Sequence, residues 1–156
     1  MNKKIKTLTF TSMITALYFI LAFVEQTFAN GAIQCRLSEA LALLPLFFPE
    51  AIIWVTLGCF LFNVTTGIVW DIVVGTLCTF ISCLITYFIR KVIKNDILKI
   101  ILGGLPHVLI NALVIPVVLM YGYQLPDGYL FLFASIFIGQ FIAVYIIGGL
   151  LYFPLK

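Results

Sequence analysis

Charge is scarce in this chain. Only 10% of its 156 residues are Asp, Glu, Lys or Arg, while 63% are hydrophobic, and a soluble domain carries about a quarter charged. A soluble globular domain is excluded. The few charges lie in patches beside apolar runs, so the net charge of +3 bears on orientation in a membrane and not on nucleic acid. Histidine occurs once, at His107, too few for a multi-histidine metal site. The four cysteines, Cys35, Cys59, Cys78 and Cys83, form neither a CxxC pair nor a Cys/His cluster, which excludes a zinc or redox motif. They read as small polarizable side chains inside a helix bundle. No GxxxxGK[ST], HExxH or GxSxG string occurs, and no nucleophile stands beside a base. No metal, cofactor or catalytic residue is expected, and any uphill transport must draw on an ion gradient or on a partner's ATPase.

What is present is hydrocarbon in long pieces. Uncharged runs cover 7–24, 51–70, 72–89, 100–126 and 128–155, each about as long as the roughly 20 residues a spanning helix needs. Barrel strands would be half as long and alternate in polarity. The first run follows Lys3, Lys4 and Lys6 as a signal peptide would. It exceeds the usual length of one, and Thr27-Phe28-Ala29 is a poor cleavage site. The segment "RLSEALALLPLFF" at 36–48 is too short to cross about 30 Å at 1.5 Å per residue unless its polar head is included. Counting it gives six helices, at about 7–24, 36–48, 50–67, 70–90, 98–121 and 129–153, with Pro49 suited to the first turn of the third.

Positive charge tests that count independently. Lys3, Lys4 and Lys6 precede the first helix, Arg90, Lys91, Lys94 and Lys99 flank the turn after the fourth, and Lys156 ends the chain. All share one side only if an even number of helices separates them. The expected fold is therefore an all-α membrane protein, a compact six-transmembrane-helix bundle with a short second helix and both termini cytoplasmic, forming a single domain over 1–156. The opposite mouth carries Glu25, Asp71 and Asp127 without lysine and is acidic.

An ionisable group in a bilayer costs at least about 2.5 kcal/mol and normally faces a partner or a water-filled cavity. Arg36 and Glu39 are three apart, on one helical face, and can pair. They either neutralise each other at the interface or line an outward-opening pocket with Gln34 and Ser38. Polar groups on other helices lie at matching depth: Thr56, Asn63 and Gly67 on the third; His107 and Asn111 at i, i+4 on the fifth; Gln140 on the sixth. On the fourth, Asp71, Gly75, Thr79, Ser82 and Thr86 draw a stripe at i, i+4, i+8, i+11, i+15. Close helix packing is the plainer role for the Ser, Thr and Gly positions, and interhelical hydrogen bonding for His107. The amides could serve a neighbour or a ligand equally. Ser12 and Ala16, like Ser135, Gly139 and Ala143, are small residues at the spacing that lets membrane helices approach closely, within the bundle or against another protein.

The strings "AIQCRLSEALALLPLFFPEAI", "LGCFLFN", "WDIVVGTLCTFISCLITY" and "NALVI" resemble the QueT family, queuosine-precursor transporters that act as S components of energy-coupling-factor (ECF) importers. The resemblance runs from about residue 5 to the C-terminus. It implies a six-helix substrate-capture subunit of a bacterial cytoplasmic membrane that takes its solute from outside. Delivery inward would need a membrane coupling (T) subunit and two ATPase (A) subunits, which use the ATP. Docking would run through small residues of the first helix, here Ser12 and Ala16, with serine where the family's motif has alanine.

The implied solute is a 7-deazaguanine such as 7-aminomethyl-7-deazaguanine. Its donor edge suits Glu39, and its O6 suits Arg36, Gln34 or Asn111. Trp70, Tyr121 and Phe28 could clamp the ring, and Glu25 or Asp71 could meet the aminomethyl ammonium. Asn63, His107 and Gln140 complete the candidate binding set. Three other readings stand beside this one: an S component for another vitamin-like solute, a stand-alone ion-coupled transporter, and a small membrane enzyme or assembly chaperone. The lone histidine without a paired nucleophile argues against an enzyme.

Overall fold

A computed structural model describes residues 3–28 and 36–155 of the chain. Among them are five α-helices and one 3-10 helix, with no strand. α1 is Lys3–Phe28, the 3-10 helix is Leu37–Leu46, α2 is Ala51–Thr66, and α3, α4 and α5 are Asp71–Val92, Asp96–Tyr121 and Tyr129–Tyr152. α3 opens with a π turn, Asp71–Gly75. α5 contains another, Ile142–Ile147, and runs on helically to Leu155. Thr7–Gln26 of α1, together with α3, α4 and α5, are long and apolar enough to cross a membrane.

Each expected helix has a counterpart, with differences that have local causes. The short second element is not α-helical. As a 3-10 helix its ten residues rise about 2.0 Å each and cover about 20 Å, where an α-helix would cover about 15 Å. Leu37 is exposed, but Ser38 to Leu46 are buried without a break, so beyond its first residue the segment is a central strut with no solvent or lipid face. Pro49 lies in the turn before α2 and not in its first turn. α2 ends where Gly67 takes φ 69, a left-handed conformation that glycine adopts without a Cβ penalty. α4 begins two residues earlier than expected because the Asn95 side chain accepts from the amides of Ile97 and Leu98, as an N-cap does.

Side-chain contacts fix the directions of the helices. α1 and α2 run parallel: Thr15 Oγ1 donates to the Trp54 carbonyl at 3.0 Å, and a Cβ on Gly58 would meet Tyr18 Cβ at 2.7 Å and the Thr15 carbonyl at 3.0 Å. Gly58→Val should therefore lower stability by about 1–3 kcal/mol, read as a reduced melting temperature of the purified protein. α3 and α4 run antiparallel, tied by Thr86 Oγ1 to the Gly103 carbonyl at 2.7 Å and by Ser82 Oγ to the Pro106 carbonyl at 3.4 Å. The polar stripe of α3 consequently faces inward, and Asp71, Gly75, Thr79, Ser82 and Thr86 are all buried.

One end of the bundle is held by aromatics. Phe10 stacks on Trp54, Trp54 meets Phe48, Phe47 meets Tyr152 with ring centroids 4.6 Å apart, and the Tyr152 hydroxyl reaches Asp96 Oδ1 at 3.2 Å. The beginning of α1, the turn between α3 and α4 and the end of α5 thus share one end, where Arg90, Lys91, Lys94 and Lys99 also lie. Glu25, Ser38, Asn63, Asp71 and Tyr123 mark the other. The surface is the reverse of a soluble protein's: Leu8, Ile53, Val69, Phe88, Leu130 and Leu150 are exposed, while Glu39, Asn63, His107 and Gln140 are buried. Such a surface suits a hydrocarbon solvent.

Candidate ligand-binding site

Three groups of buried polar side chains gather in the half of the bundle away from the lysines. The first centres on Glu39, in the first turn of the 3-10 helix. Its Oε1 accepts from the Tyr18 hydroxyl of α1 at 2.7 Å, and its Oε2 stands 3.6 Å from His107 Nδ1 of α4. That gap is too long for a good hydrogen bond, and Oε2 and both ring nitrogens of His107 are without a hydrogen-bond partner.

The second group forms where α2 ends and α3 begins. Asn63 Nδ2 donates to the Asp71 carbonyl at 3.0 Å and to Thr76 Oγ1 at 3.3 Å, leaving its Oδ1 unpartnered. The π turn sets Asp71 inward, where Oδ2 accepts from the Tyr123 hydroxyl at 2.8 Å and Oδ1 has no partner. Burial first, and then the Asp71 carboxylate, push the Tyr123 phenol up to about 12. It remains a donor at neutral pH.

The third group pairs Asn111 of α4 with Gln140 of α5. Val108 packs with Val144 in one cluster, and Ala112 with Ile136 in the next. The antiparallel register between them sets Asn111 and Gln140 at one level. Asn111 Nδ2 and Gln140 Oε1 are both buried and unpartnered. Arg36 links the first two groups: burial works against its guanidinium charge, and of the groups that favour the charge Asp71 acts most strongly, ahead of Tyr18 and Glu39. It occupies the cap of the 3-10 helix in extended backbone (φ −94, ψ 92), so it stands at the head of the helix and not within a helical turn, while its carbonyl accepts from the Glu39 amide at 3.0 Å.

An unsatisfied buried polar atom costs about 1–3 kcal/mol, and native structures hold few of them. Here Glu39, Asn63, Asp71, His107, Asn111 and Gln140, from four helices and the 3-10 strut, each present at least one. The set contains acceptors and donors in quantity, which is what a site for a polar solute requires.

Scanned against known protein families, residues 8–156 match the QueT transporter family. The chain belongs to that family. Neither curated proteins nor solved structures return a match. As a QueT transporter with four long apolar helices, it is a multi-pass membrane protein handling a small-molecule substrate.

The remaining sequence candidates in this QueT chain are dispersed. Glu25 is buried, and its two oxygens accept from the Ser38 amide at 2.9 Å and from Ser38 Oγ at 3.4 Å, so it secures the head of the 3-10 helix to α1. Trp70 and Tyr121 are exposed and line an apolar groove of about 270 Å³ with Val74, Val114, Val117 and Val118. No described contact joins them to the polar groups. Gln34 lies outside the described residues, as does the side chain of Phe28. Ser12 and Ala16 are exposed on α1, flanking the buried stripe of Thr15, Tyr18, Ala22 and Glu25. Gly139 and Ala143 are buried in the bundle.

Tyr18 and Tyr123 hold the two central carboxylates, yet neither stood out in the sequence. Tyr18 could have been found: Thr15, Tyr18, Ala22 and Glu25 recur at i, i+3, i+7 and i+10, the inward stripe of an amphipathic helix.

Proposed function

We propose that this QueT chain is the substrate-capture subunit of an ECF importer, a single six-span domain with both termini in the cytoplasm. It would bind a queuosine precursor, a 7-deazaguanine such as 7-aminomethyl-7-deazaguanine, from outside. A T subunit and two ATPase subunits would then drive its release inward. The observation that carries this reading is the set of unpartnered buried atoms on Glu39, Asn63, Asp71, His107, Asn111 and Gln140. A deazaguanine edge offers ring N–H and 2-amino donors to Glu39 Oε2, while Asn111 Nδ2 and His107 can meet its O6. The gathering of basic residues at one end supports the orientation, since the side rich in Lys and Arg faces the cytoplasm.

The exposed face of α1 with Ser12 and Ala16 supports docking to a T subunit, because small residues permit close helix approach in lipid. Purification from the native membrane, followed by mass spectrometry, tests both parts. A co-purifying deazaguanine and attached ATPases are expected. Uptake that collapses with the proton or sodium gradient and needs no ATPase would favour the stand-alone ion-coupled transporter instead.

A further inference from the structure

Thr86 and Ser82 tie α3 to the Gly103 and Pro106 carbonyls of α4 on the inward side of the pair. On the outward side the same two helices are parted by a groove of about 520 Å³, running from Ile85 to Ile93 on α3 and from Leu102 to Ile110 on α4. Every lining side chain is apolar, and Ile85, Phe88, Val92, Leu105 and Leu109 are exposed. Ile85 to Ile93 covers about 12 Å at 1.5 Å per residue, close to the depth of one leaflet in a hydrocarbon core about 30 Å thick. The groove therefore belongs to a single leaflet, the one at the lysine-rich end.

No Asp, Glu, Lys or Arg occurs along 72–89 or 100–126, so the only charges beside the groove are those at its lysine-rich end. Lys94 directly follows Ile93, the last lining residue of α3. Lys91 lies along α3, its Nζ 4.7 Å from the Tyr87 ring centroid and 5.9 Å from that of Phe88, a lining residue. Lys99 stands three residues before Leu102, on the same stripe of α4. The one carboxylate of the turn, Asp96, is engaged by Lys99 at 3.9 Å and by the Tyr152 hydroxyl at 3.2 Å. Lys91 and Lys94 are exposed, and among the described residues no carboxylate pairs with either.

A partner's helix would call for small residues at the contact, which allow close approach in lipid, and the groove instead has walls of Ile, Leu, Val and Phe with Pro106. A flexible hydrocarbon chain fits such walls, and a phosphate at its head would meet the two unpaired lysines. Basic pockets between membrane helices take anionic lipid headgroups on this principle. We propose that the α3–α4 groove seats an acyl chain of an anionic phospholipid whose phosphate is held by Lys91 and Lys94. The site is separate from the polar groups around Glu39 and Asp71 and independent of the solute they take.

Native mass spectrometry of the purified full chain tests the site, with phosphatidylglycerol and phosphatidylcholine of identical acyl chains as probes. The wild-type chain should retain phosphatidylglycerol about thirtyfold better, two lysines near one phosphate contributing about fivefold each. Lys91→Gln combined with Lys94→Gln should bring the two lipids within about threefold of each other and leave phosphatidylcholine retention unchanged, while Arg90 and Lys99 remain to set the orientation. Leu105→Trp, at an exposed position of the lining, should fill the groove and weaken both lipids by a similar factor. Equal retention of the two lipids by the wild-type chain would overturn the proposal, as would a preference that survives the double lysine substitution. Undiminished lipid retention by Leu105→Trp would overturn the acyl-chain seat, and loss of attached ATPase subunits from that variant would assign the groove to a protein partner instead.

Discussion

Glu39→Gln is expected to weaken solute binding on the order of a hundredfold while the protein still folds. Glutamine retains an oxygen that can accept from the Tyr18 hydroxyl, now 2.7 Å from Glu39 Oε1, so the tie between α1 and the 3-10 strut survives. What changes is Oε2, buried, without a hydrogen-bond partner and 3.6 Å from His107 Nδ1. In place of an anionic acceptor the variant offers either a neutral oxygen or an NH2 group that faces the solute's own donors. Loss of a hydrogen bond to a charged group removes about 1.5–3 kcal/mol, and the mismatched donor adds desolvation cost. Titration calorimetry reads the affinity, and thermal denaturation without ligand serves as the control. A variant with wild-type affinity would remove Glu39 from the recognition set.

Ser12→Leu combined with Ala16→Leu should give the opposite pattern: uptake reduced at least about tenfold with binding intact. Both residues are exposed on α1, beside the buried stripe of Thr15, Tyr18 and Glu25, so leucines there extend from the surface of the bundle. They would thicken a surface that is now small enough for another helix to approach closely, and close approach is what drives helix association in lipid. Uptake in cells or in vesicles reconstituted with the ATPase module measures the first property, and titration of the isolated variant measures the second. Wild-type uptake by the double variant would contradict docking through this face. Loss of binding as well would place these residues in the fold instead.

The split between what the sequence disclosed and what it hid follows from physical chemistry. The stripe Asp71, Gly75, Thr79, Ser82, Thr86 was legible because polar and small residues at helical spacing interrupt an otherwise apolar run, and each is buried on α3. The amides and His107 were legible as polar groups in hydrocarbon, where only an inward position is tolerable. The 3-10 form of Leu37–Leu46 was not. Every residue from Ser38 to Leu46 is buried, so no polar face exists to reveal whether the repeat is three residues or 3.6. α1 extends past its expected end at residue 24 for a related reason. Glu25 and Gln26 look like the polar margin of a span, but Glu25 turns inward to accept from Ser38, and the helix continues to Phe28. Tyr123 escaped notice because its partner, Asp71, is 52 residues away. No local pattern encodes such a contact.

The most direct measurement is an experimental structure of the chain with 7-aminomethyl-7-deazaguanine bound. The expected result is a flat density among α1, the 3-10 helix, α3, α4 and α5, within hydrogen-bond distance of Glu39 Oε2, Asn111 Nδ2 and Asp71 Oδ1. Density instead in the apolar groove of about 520 Å³ lined by Ile85, Phe88, Leu105 and Pro106, with those polar atoms untouched by the solute, would contradict it.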